Sequence, residues 1–258
     1  MIQILQSQRS RALMALVVLT SIGVLLAAPL PTSQTVQYQS GDETVKAYLA
    51  LPASGGRHPG VIVIHEYWGL NDWIKQNSQK LADQGYVALA VDLFRGGVAI
   101  TPGDAQELMR GLPKDRAVRD LEAAFTYLAA RPDVDPSRIG SVGWCMGGTY
   151  SFQVAIHEPT LAACVVNYGA PPTDPADIAA IHASILGNFG ADDMGITPAA
   201  VSAFQQAAQA DHKSVDMKEY AGAGHAFENP NNTAGYRPEA AADAWNRIMA
   251  FLSANLKP

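Results

Sequence analysis

Residues 139–148 have the sequence IGSVGWCMGG, in which an apolar run leads into a cysteine with a glycine two positions before it and another two positions after it. The run predicts a buried strand over residues 139–144, and helically spaced apolar residues predict a helix over 146–157. A residue on a sharp strand-to-helix turn needs small neighbours, because the backbone there comes too close for a Cβ atom. Gly143 and Gly147 meet that need, so Cys145 is predicted to lie on such a turn.

The same alternation of strand and helix continues along the chain. Apolar runs predict strands at residues 61–65, 87–92, 161–168, 184–189 and 215–220, and helical spacing predicts helices at 72–84, 115–130, 198–210 and 238–255. Two β-leaning stretches, 36–38 and 44–51, are joined by Gly41 and Asp42 and predict an antiparallel hairpin at the sheet edge. The pattern predicts an α/β fold with a mostly parallel central sheet and helices on both faces, where ligands bind at the carboxyl ends of the strands.

The composition excludes several classes of protein. Of 258 residues 48% are hydrophobic, and 18 basic residues stand against 24 acidic ones, without any run of Lys or Arg. A nucleic-acid partner is therefore not expected, because a surface that follows phosphates needs clustered positive charge. Cys145 and Cys164 have no CxxC pattern or Cys/His cluster around them, which excludes a disulfide scaffold and a structural zinc site.

The N-terminal segment is set apart by its charge pattern. Arg9 and Arg11 precede an uncharged, mostly apolar stretch over residues 12–28, and polar residues follow it. This order predicts a signal peptide over residues 1–28 that is cleaved after Ala28, which leaves one domain over 29–258 with a net charge of 16 − 24 = −8. The stretch is at the short limit for a bilayer core of roughly 30 Å, so an uncleaved membrane anchor is the alternative. The protein is thus predicted to be exported, or tethered to the membrane if the segment is retained.

The two cysteines lie in different surroundings. The start of a helix carries partial positive charge, which favours a thiolate at Cys145, and the amide of Met146 would point at a developing oxyanion. A buried, inert cysteine beside a tight turn is the alternative interpretation. Cys164 lies within the apolar run Ala162-Ala163-Cys164-Val165-Val166 and is predicted to be a buried structural thiol.

An acid and a base follow the cysteine at two later strand ends. The strand at 184–189 runs into Gly190-Ala191-Asp192-Asp193, where Asp193 is the predicted orienting acid and Asp192 its rival, although a solvated turn would explain either. The strand at 215–220 runs into a glycine-flanked loop that presents His225, the predicted general base. Nucleophile, acid and base occur in the chain order of the α/β-hydrolases.

Two earlier strand ends add polar groups to the same edge. Residues 65–71 read HEYWGLN, in the loop where a second oxyanion donor is expected, and the amide of Tyr67 would supply it. Glu66 would then lie near the thiol and either keep it protonated or accept its proton, with a helix-capping or salt-bridging role as the alternative. His65 is a supporting residue of this loop, and Arg95 could bind a substrate carboxylate or serve structure alone.

On these motifs the chain resembles the dienelactone hydrolase family over residues 36–256. The motifs, in family order, are HEYWGLN at 65–71, DLFRGG at 92–97, GWCMGG at 143–148, GADD at 190–193 and GAGHAF at 222–227. The resemblance implies that Cys145 is the nucleophile, His225 the base, Asp193 its orienter and Glu66 the residue that governs the resting cysteine. It also implies Arg95 as a carboxylate anchor, and the motif residues Trp144 and Phe227 are predicted to contact substrate.

One departure from the family pattern concerns substrate charge. Well-studied bacterial members have a second Arg shortly after the catalytic His-x-Phe, whereas this chain has Glu228-Asn229-Pro230, with Arg237 further along the same loop. A narrow dienelactone specificity is therefore in doubt, and Arg237 is a candidate substitute for the missing Arg.

These observations predict a hydrolase of lactones or activated carboxylic esters that works through a thioester on Cys145 and needs no metal or cofactor. Its partner would be a small-molecule lactone or ester. A broad carboxylesterase without preference for anionic substrates is the first alternative, and a hydrolase-fold binding protein without turnover is the second. The oligomeric state is left open, with a monomer among the options.

Overall fold

The protein is described by a computed structural model covering residues 32–257, so the predicted signal or anchor segment lies outside the described residues. Eight strands form one sheet in the order β1-β2-β4-β3-β5-β6-β7-β8. The strands are β1 (Thr32–Ser40), β2 (Glu43–Leu51), β3 (His58–Ile64), β4 (Val87–Val91), β5 (Val134–Trp144), β6 (Ala163–Asn167), β7 (Ser184–Gly190) and β8 (Val215–Tyr220). β2 pairs antiparallel with β1 and β4, and every other pairing in the sheet is parallel. The predicted α/β fold and its hairpin edge are confirmed.

Seven helices accompany the sheet in the described part of the chain. They are α1 (Asp72–Asp83), α2 (Pro102–Arg110), α3 (Lys114–Ala129), α4 (Met146–His157), α5 (Pro175–Ala180), α6 (Pro198–Ala210) and α7 (Pro238–Leu256). Neither α2 nor α5 is among the predicted helices. α5 has only six residues, and α2 buries only Ala105, so neither has a long apolar stripe that sequence periodicity could detect.

The sheet separates two hydrophobic clusters. Along β3, Ile62 and Ile64 point into a cluster that includes residues of α3, α4 and α6, while Val61 and Val63 point into a cluster shared with α1 and α7. This alternation is the period-two side-chain pattern of a strand whose two faces are both buried. Cys145 packs against both clusters. Helices therefore cover both faces of the sheet, as predicted.

Parallel pairing brings the carboxyl ends of β3, β5, β6, β7 and β8 to one edge of the sheet. The residues that follow these strands are Glu66, Cys145, Tyr168, Asp193 and His225. Among residues 32–257, none of the helices combines the length and apolar character needed to cross a bilayer.

Candidate active site

Cys145 lies on a sharp turn between β5 and α4. Its backbone has φ 55° and ψ −121°, a conformation that costs a non-glycine residue free energy and must be held by its surroundings. A Cβ atom on Gly143 would overlap the carbonyl oxygen of Gly147, and one on Gly147 would overlap the carbonyl oxygen of Ile64. The two glycines thus allow the backbone approach that raises Cys145 above the sheet edge.

Two backbone amides converge on the Cys145 sulfur. The N–H groups of Met146 and Tyr67 face it and lower the pKa of its thiol. Burial raises the pKa of the Cys145 thiol to about 12, and the nearby carboxylates of Glu66 and Asp193 raise it while the two amides lower it. At neutral pH the resting cysteine is therefore a thiol that lies between two donors suited to an oxyanion.

His225 and Asp193 form a close pair. Nδ1 of His225 lies 2.7 Å from Oδ2 of Asp193, which is buried, while the imidazole is 40% exposed. The other oxygen of Asp193, Oδ1, accepts hydrogen bonds from the amides of Gly195 (2.8 Å) and Ile196 (3.0 Å). The carboxylate is thus fixed by its own turn and holds the proton of His225 on Nδ1, which leaves Nε2 as an acceptor. The rival acid Asp192 is exposed and does not contact His225.

Glu66 is buried and both its oxygens are bound. Oε2 accepts a 2.6 Å hydrogen bond from Nδ2 of Asn229, and Oε1 accepts a 3.3 Å bond from the hydroxyl of Tyr168. Burial raises the pKa of Glu66 to about 7, although both hydrogen bonds lower it. The carboxyl beside Cys145 therefore changes charge near neutral pH.

His65 supports the loop that carries Glu66. Its Nδ1 lies 2.6 Å from the carbonyl oxygen of Glu66, and its Nε2 accepts a hydrogen bond from the amide of Leu93. Burial lowers the pKa of His65 to about 4, so the ring is neutral and donates from Nδ1. His65 thereby connects the loop after β3 to the loop after β4.

A second buried carboxyl, Glu228, lies behind the site. Its Oε2 accepts a 2.9 Å hydrogen bond from Nε1 of Trp144. The pKa of Glu228 is raised to about 8, mainly by burial and in part by the charge of the nearby Glu66. Sequence reasoning named Glu228 and Asn229 only as a departure from the family pattern and did not single out Tyr168. Their positions in the sequence could have indicated a role in the site, since Tyr168 directly follows β6 and Asn229 lies four residues after His225.

Two predicted substrate contacts are corrected. Trp144 is 1% exposed and packs edge-on against Trp73, with ring centroids 5.4 Å apart. Phe227 is fully buried between Tyr168 and Tyr220. Both rings therefore support the site from the core, and neither lies on the wall of a cavity that contains Cys145.

Arg95 is also corrected as a carboxylate anchor. Its guanidinium is 2.7 Å from the fully buried Asp120 and 2.8 Å from Glu43, and Arg95 is absent from the walls of the cavities that contain Cys145. Arg237 does not take its place, because its guanidinium binds the backbone carbonyls of Gly222, Ala234 and Tyr236. Both arginines stabilise the fold.

Two cavities meet at Cys145 and His225. The asparagine cavity, of about 810 Å³, has walls that include Trp68, Ile100, Asn231, Asn232 and Ala234. The apolar cavity, of about 470 Å³, has walls that include Met146, Tyr150, Ala170 and Ile196. Met109 of α2 belongs to both. Within residues 32–257 we find no group of three or more His, Cys, Asp or Glu side chains arranged to hold a metal ion.

Comparison with known proteins agrees with this geometry. The sequence model of the dienelactone hydrolase family matches residues 45–256. A protein of Methylorubrum extorquens named as a candidate carboxymethylenebutenolidase is 34% identical over 222 residues, which cover 81% of this chain and 76% of that protein. A Bradyrhizobium protein, named as a candidate 2-oxo-3-(5-oxofuran-2-ylidene)propanoate lactonase, is 33% identical over 230 residues, which cover 84% of this chain and 92% of that protein.

A solved structure is similar as well. The crystal structure of a candidate dienelactone hydrolase from Klebsiella pneumoniae has a TM-score of 0.79 at 29% identity and covers 86% of this chain and 98% of that one. The strand-to-helix turn at Cys145, the sheet order and these matches lead to one assignment. The chain belongs to the dienelactone hydrolase family and is a hydrolase of ester or lactone bonds.

Proposed function

We propose that the protein hydrolyses lactones or activated carboxylic esters through a thioester formed on Cys145. The observation that carries this proposal is the meeting of three groups at one point of the sheet edge. These are the cysteine on its strained turn, the amides of Met146 and Tyr67, and the His225–Asp193 pair. Together they supply a nucleophile, oxyanion donors and an oriented base.

The reaction begins when the substrate carbonyl oxygen accepts hydrogen bonds from the two amides that face sulfur in the resting site. Sγ then turns toward His225, whose Nε2 accepts the thiol proton as sulfur attacks the carbonyl carbon. Collapse of the tetrahedral intermediate breaks the ester C–O bond, and His225 returns the proton to the leaving oxygen. Water, deprotonated by His225, then hydrolyses the thioester and regenerates the thiol.

Glu66 controls when the thiol ionises. Burial is the largest cause of the raised pKa of Cys145 and the charge of Glu66 is the next, so the free enzyme carries a protonated thiol that resists oxidation and stray alkylation. Whether Glu66 also accepts the thiol proton during turnover is decided by the Glu66→Gln variant described in the Discussion.

The chemistry of sulfur restricts the leaving group. A thiolate is readily expelled from the tetrahedral intermediate, so a poor leaving group would be retained and the attack reversed. Enol-lactones and aryl esters are therefore the expected substrates, and amides are expected to react poorly.

Activity on uncharged substrates, the broad-carboxylesterase alternative, is favoured by the charges around the cavities. Asn229 is neutral, Arg95 is paired with two carboxylates, and Lys114 is the only Lys or Arg on the described walls of either cavity. We expect an aryl ester that carries a distant carboxylate to show no higher kcat/KM than its uncharged isostere.

Replacement of the nucleophile tests the proposal. Cys145→Ala should reduce p-nitrophenyl acetate hydrolysis to background while leaving circular dichroism and Tm close to wild type. Cys164→Ala is the matched control, because Cys164 is buried in β6 and should be dispensable for turnover. Mass spectrometry of the quenched wild type should detect an acyl group on residue 145. Full activity in Cys145→Ala would overturn the proposal.

We also propose, from the sequence alone, that residues 1–28 direct export. N-terminal sequencing of the protein from fractionated cells distinguishes cleavage after Ala28 from a retained anchor.

A further inference from the structure

The two cavities adjoin at the same pair of residues. Cys145 and His225 belong to the walls of both, and Met109 lies on their shared side. An ester carbonyl attacked by Sγ carries two substituents, the acyl chain and the leaving alcohol, and these diverge from the reacting carbon. The junction at Cys145 therefore suits a substrate that extends one arm into each cavity.

The apolar cavity has few polar groups to offer. Met109, Met146, Tyr150 and Ile196 are among its walls, the amide of Gln153 is a polar exception, and Lys114 is exposed at the first turn of α3. The hydroxyl oxygen of Thr149 is held by the protein, because it accepts a 2.9 Å hydrogen bond from the amide of Ala170. A substrate arm in this cavity would replace water with apolar contacts, which favours a hydrocarbon group.

The asparagine cavity differs in chemistry. One wall carries Asn231, Asn232 and Thr233, and the other carries Trp68 and Ile100. The Asn232 side chain is bound to the loop backbone, donating to the carbonyls of His225 and Ala226. This wall is polar, so it suits a partly polar arm.

Two large apolar side chains of the cavity walls are exposed on the protein's surface. Ile100 is 89% exposed and Met109 is 39% exposed, although both are large hydrophobic side chains. Exposed apolar groups beside a binding cavity typically mark a surface that contacts an apolar ligand.

We propose that the preferred substrates are esters or substituted lactones with a hydrocarbon arm of several carbons, which lies in the apolar cavity while the other arm lies in the asparagine cavity. This inference rests on the proposed function and specifies its substrate class. A small unsubstituted lactone joins both arms in one ring, so it can fill only one of the two cavities.

Two ester series test the wild-type enzyme. One is the p-nitrophenyl esters from acetate to octanoate, and the other is the acetates of phenols with lengthening para-alkyl groups, all below their micelle concentrations. In at least one series kcat/KM should rise by roughly threefold to fourfold for each methylene group buried, since burial contributes about 0.8 kcal/mol per methylene.

Two matched variants assign the effect to a cavity. Ala170 lies on the wall of the apolar cavity and Ala234 on that of the asparagine cavity, and both are exposed. Ala170→Phe should fill the apolar cavity and lower kcat/KM for the longest member of the responding series by tenfold or more relative to the shortest member. Ala234→Phe should leave the dependence on chain length in that series intact.

The results separate this inference from the function on which it rests. The two-arm inference would be overturned if kcat/KM did not depend on chain length in either wild-type series. It would also be overturned if Ala170→Phe, with a wild-type Tm, kept the wild-type dependence of kcat/KM on chain length. In both cases short-ester hydrolysis and the acyl-enzyme would still support the thioester mechanism. Failure of the wild type to hydrolyse any ester would instead overturn the proposed function itself.

Discussion

The side-chain amide of Asn229 donates a 2.6 Å hydrogen bond to Oε2 of Glu66, across 163 positions of the chain. The partner of the buried carboxyl is thus neutral at the place where the family resemblance suggested a second arginine. A guanidinium there would hold Glu66 ionised at all ordinary pH values. With the amide, burial raises the pKa of Glu66 to about 7, and the charge beside Cys145 varies with pH.

The reactivity of Cys145 should depend on that charge. Burial is the largest cause of its raised pKa, and Glu66 is the next. Glu66→Gln removes the charge, so the pH profile of alkylation by iodoacetamide should move to lower pH by about one unit. The measurement is the second-order rate of labelling from pH 6 to 11, read by mass spectrometry.

Cys145→Ala is the control for that profile, because the remaining Cys164 is fully buried and should not be labelled in the folded protein. An unchanged profile in Glu66→Gln would contradict the proposed control of the thiol. If labelling quickens while kcat falls, Glu66 also accepts the thiol proton during turnover.

Asp192 and Asp193, which follow β7, should differ sharply in their effect on turnover. In Asp193→Asn, Oδ1 can still accept from the turn amides, but an NH₂ group faces Nδ1 of His225 and favours the wrong tautomer. We expect kcat to fall by about 10³–10⁴-fold with little change in Tm. Asp192→Asn is the matched control and should retain near wild-type kcat, because that side chain is exposed. Equal losses in the two variants would refute the assignment of the orienting acid.

Arg95 should matter for stability and not for turnover. Its removal leaves Asp120 buried without a counter-charge, at a cost of roughly 2–3 kcal/mol, less than for a fully buried pair because Arg95 is a quarter exposed. Urea unfolding of Arg95→Ala should reveal this loss, while kcat/KM of the folded variant stays within about twofold for anionic and neutral esters. Arg119→Ala breaks the exposed contact with Glu43 and a hydrogen bond to Ser40 but leaves no charge buried, so it should destabilise much less. A selective loss of activity toward anionic esters in Arg95→Ala would restore the anchor role.

Glu228 should make stability depend on pH. Its folded-state pKa is raised to about 8, above the ordinary value of 4.5, so the folded state binds the extra proton between these values. The contribution of Glu228 to the free energy of unfolding is therefore fully present below about pH 4.5 and declines as pH rises toward 8. Glu228→Gln, which keeps an acceptor for Trp144, should be nearly neutral at pH 5 and more stable than wild type by on the order of 1–3 kcal/mol at pH 9. Urea unfolding at both pH values tests this, and an identical difference at the two would contradict it.

Those parts of the fold that depend on local sequence patterns could be predicted from the sequence. Continuous apolar runs predicted the parallel strands, and Gly41 with Asp42 predicted the hairpin turn. Because parallel strands end at one edge, the order of Cys145, Asp193 and His225 along the chain was enough to predict that the three side chains gather there.

The direction in which a side chain points within a motif could not be predicted from the sequence. Trp144 and Phe227 are neighbours of the reactive residues, yet their side chains point into the core, and the burial of a strand-end aromatic is decided by the helices packed below it. Arg95 was predicted from its place after β4, but its partner Asp120 lies on α3, and no local pattern connects the two. The family pattern marks Asn229 only as the position of a missing arginine. Its partner Glu66 is 163 positions away, so no local pattern could predict their hydrogen bond.

The contact of Cys145 with both hydrophobic clusters has a practical consequence. Loosening of either half of the molecule, under α3 and α4 or under α1 and α7, would lessen the burial that raises the pKa of this thiol. A faster rate of labelling at mild denaturant concentration would thus report the first partial opening of either half.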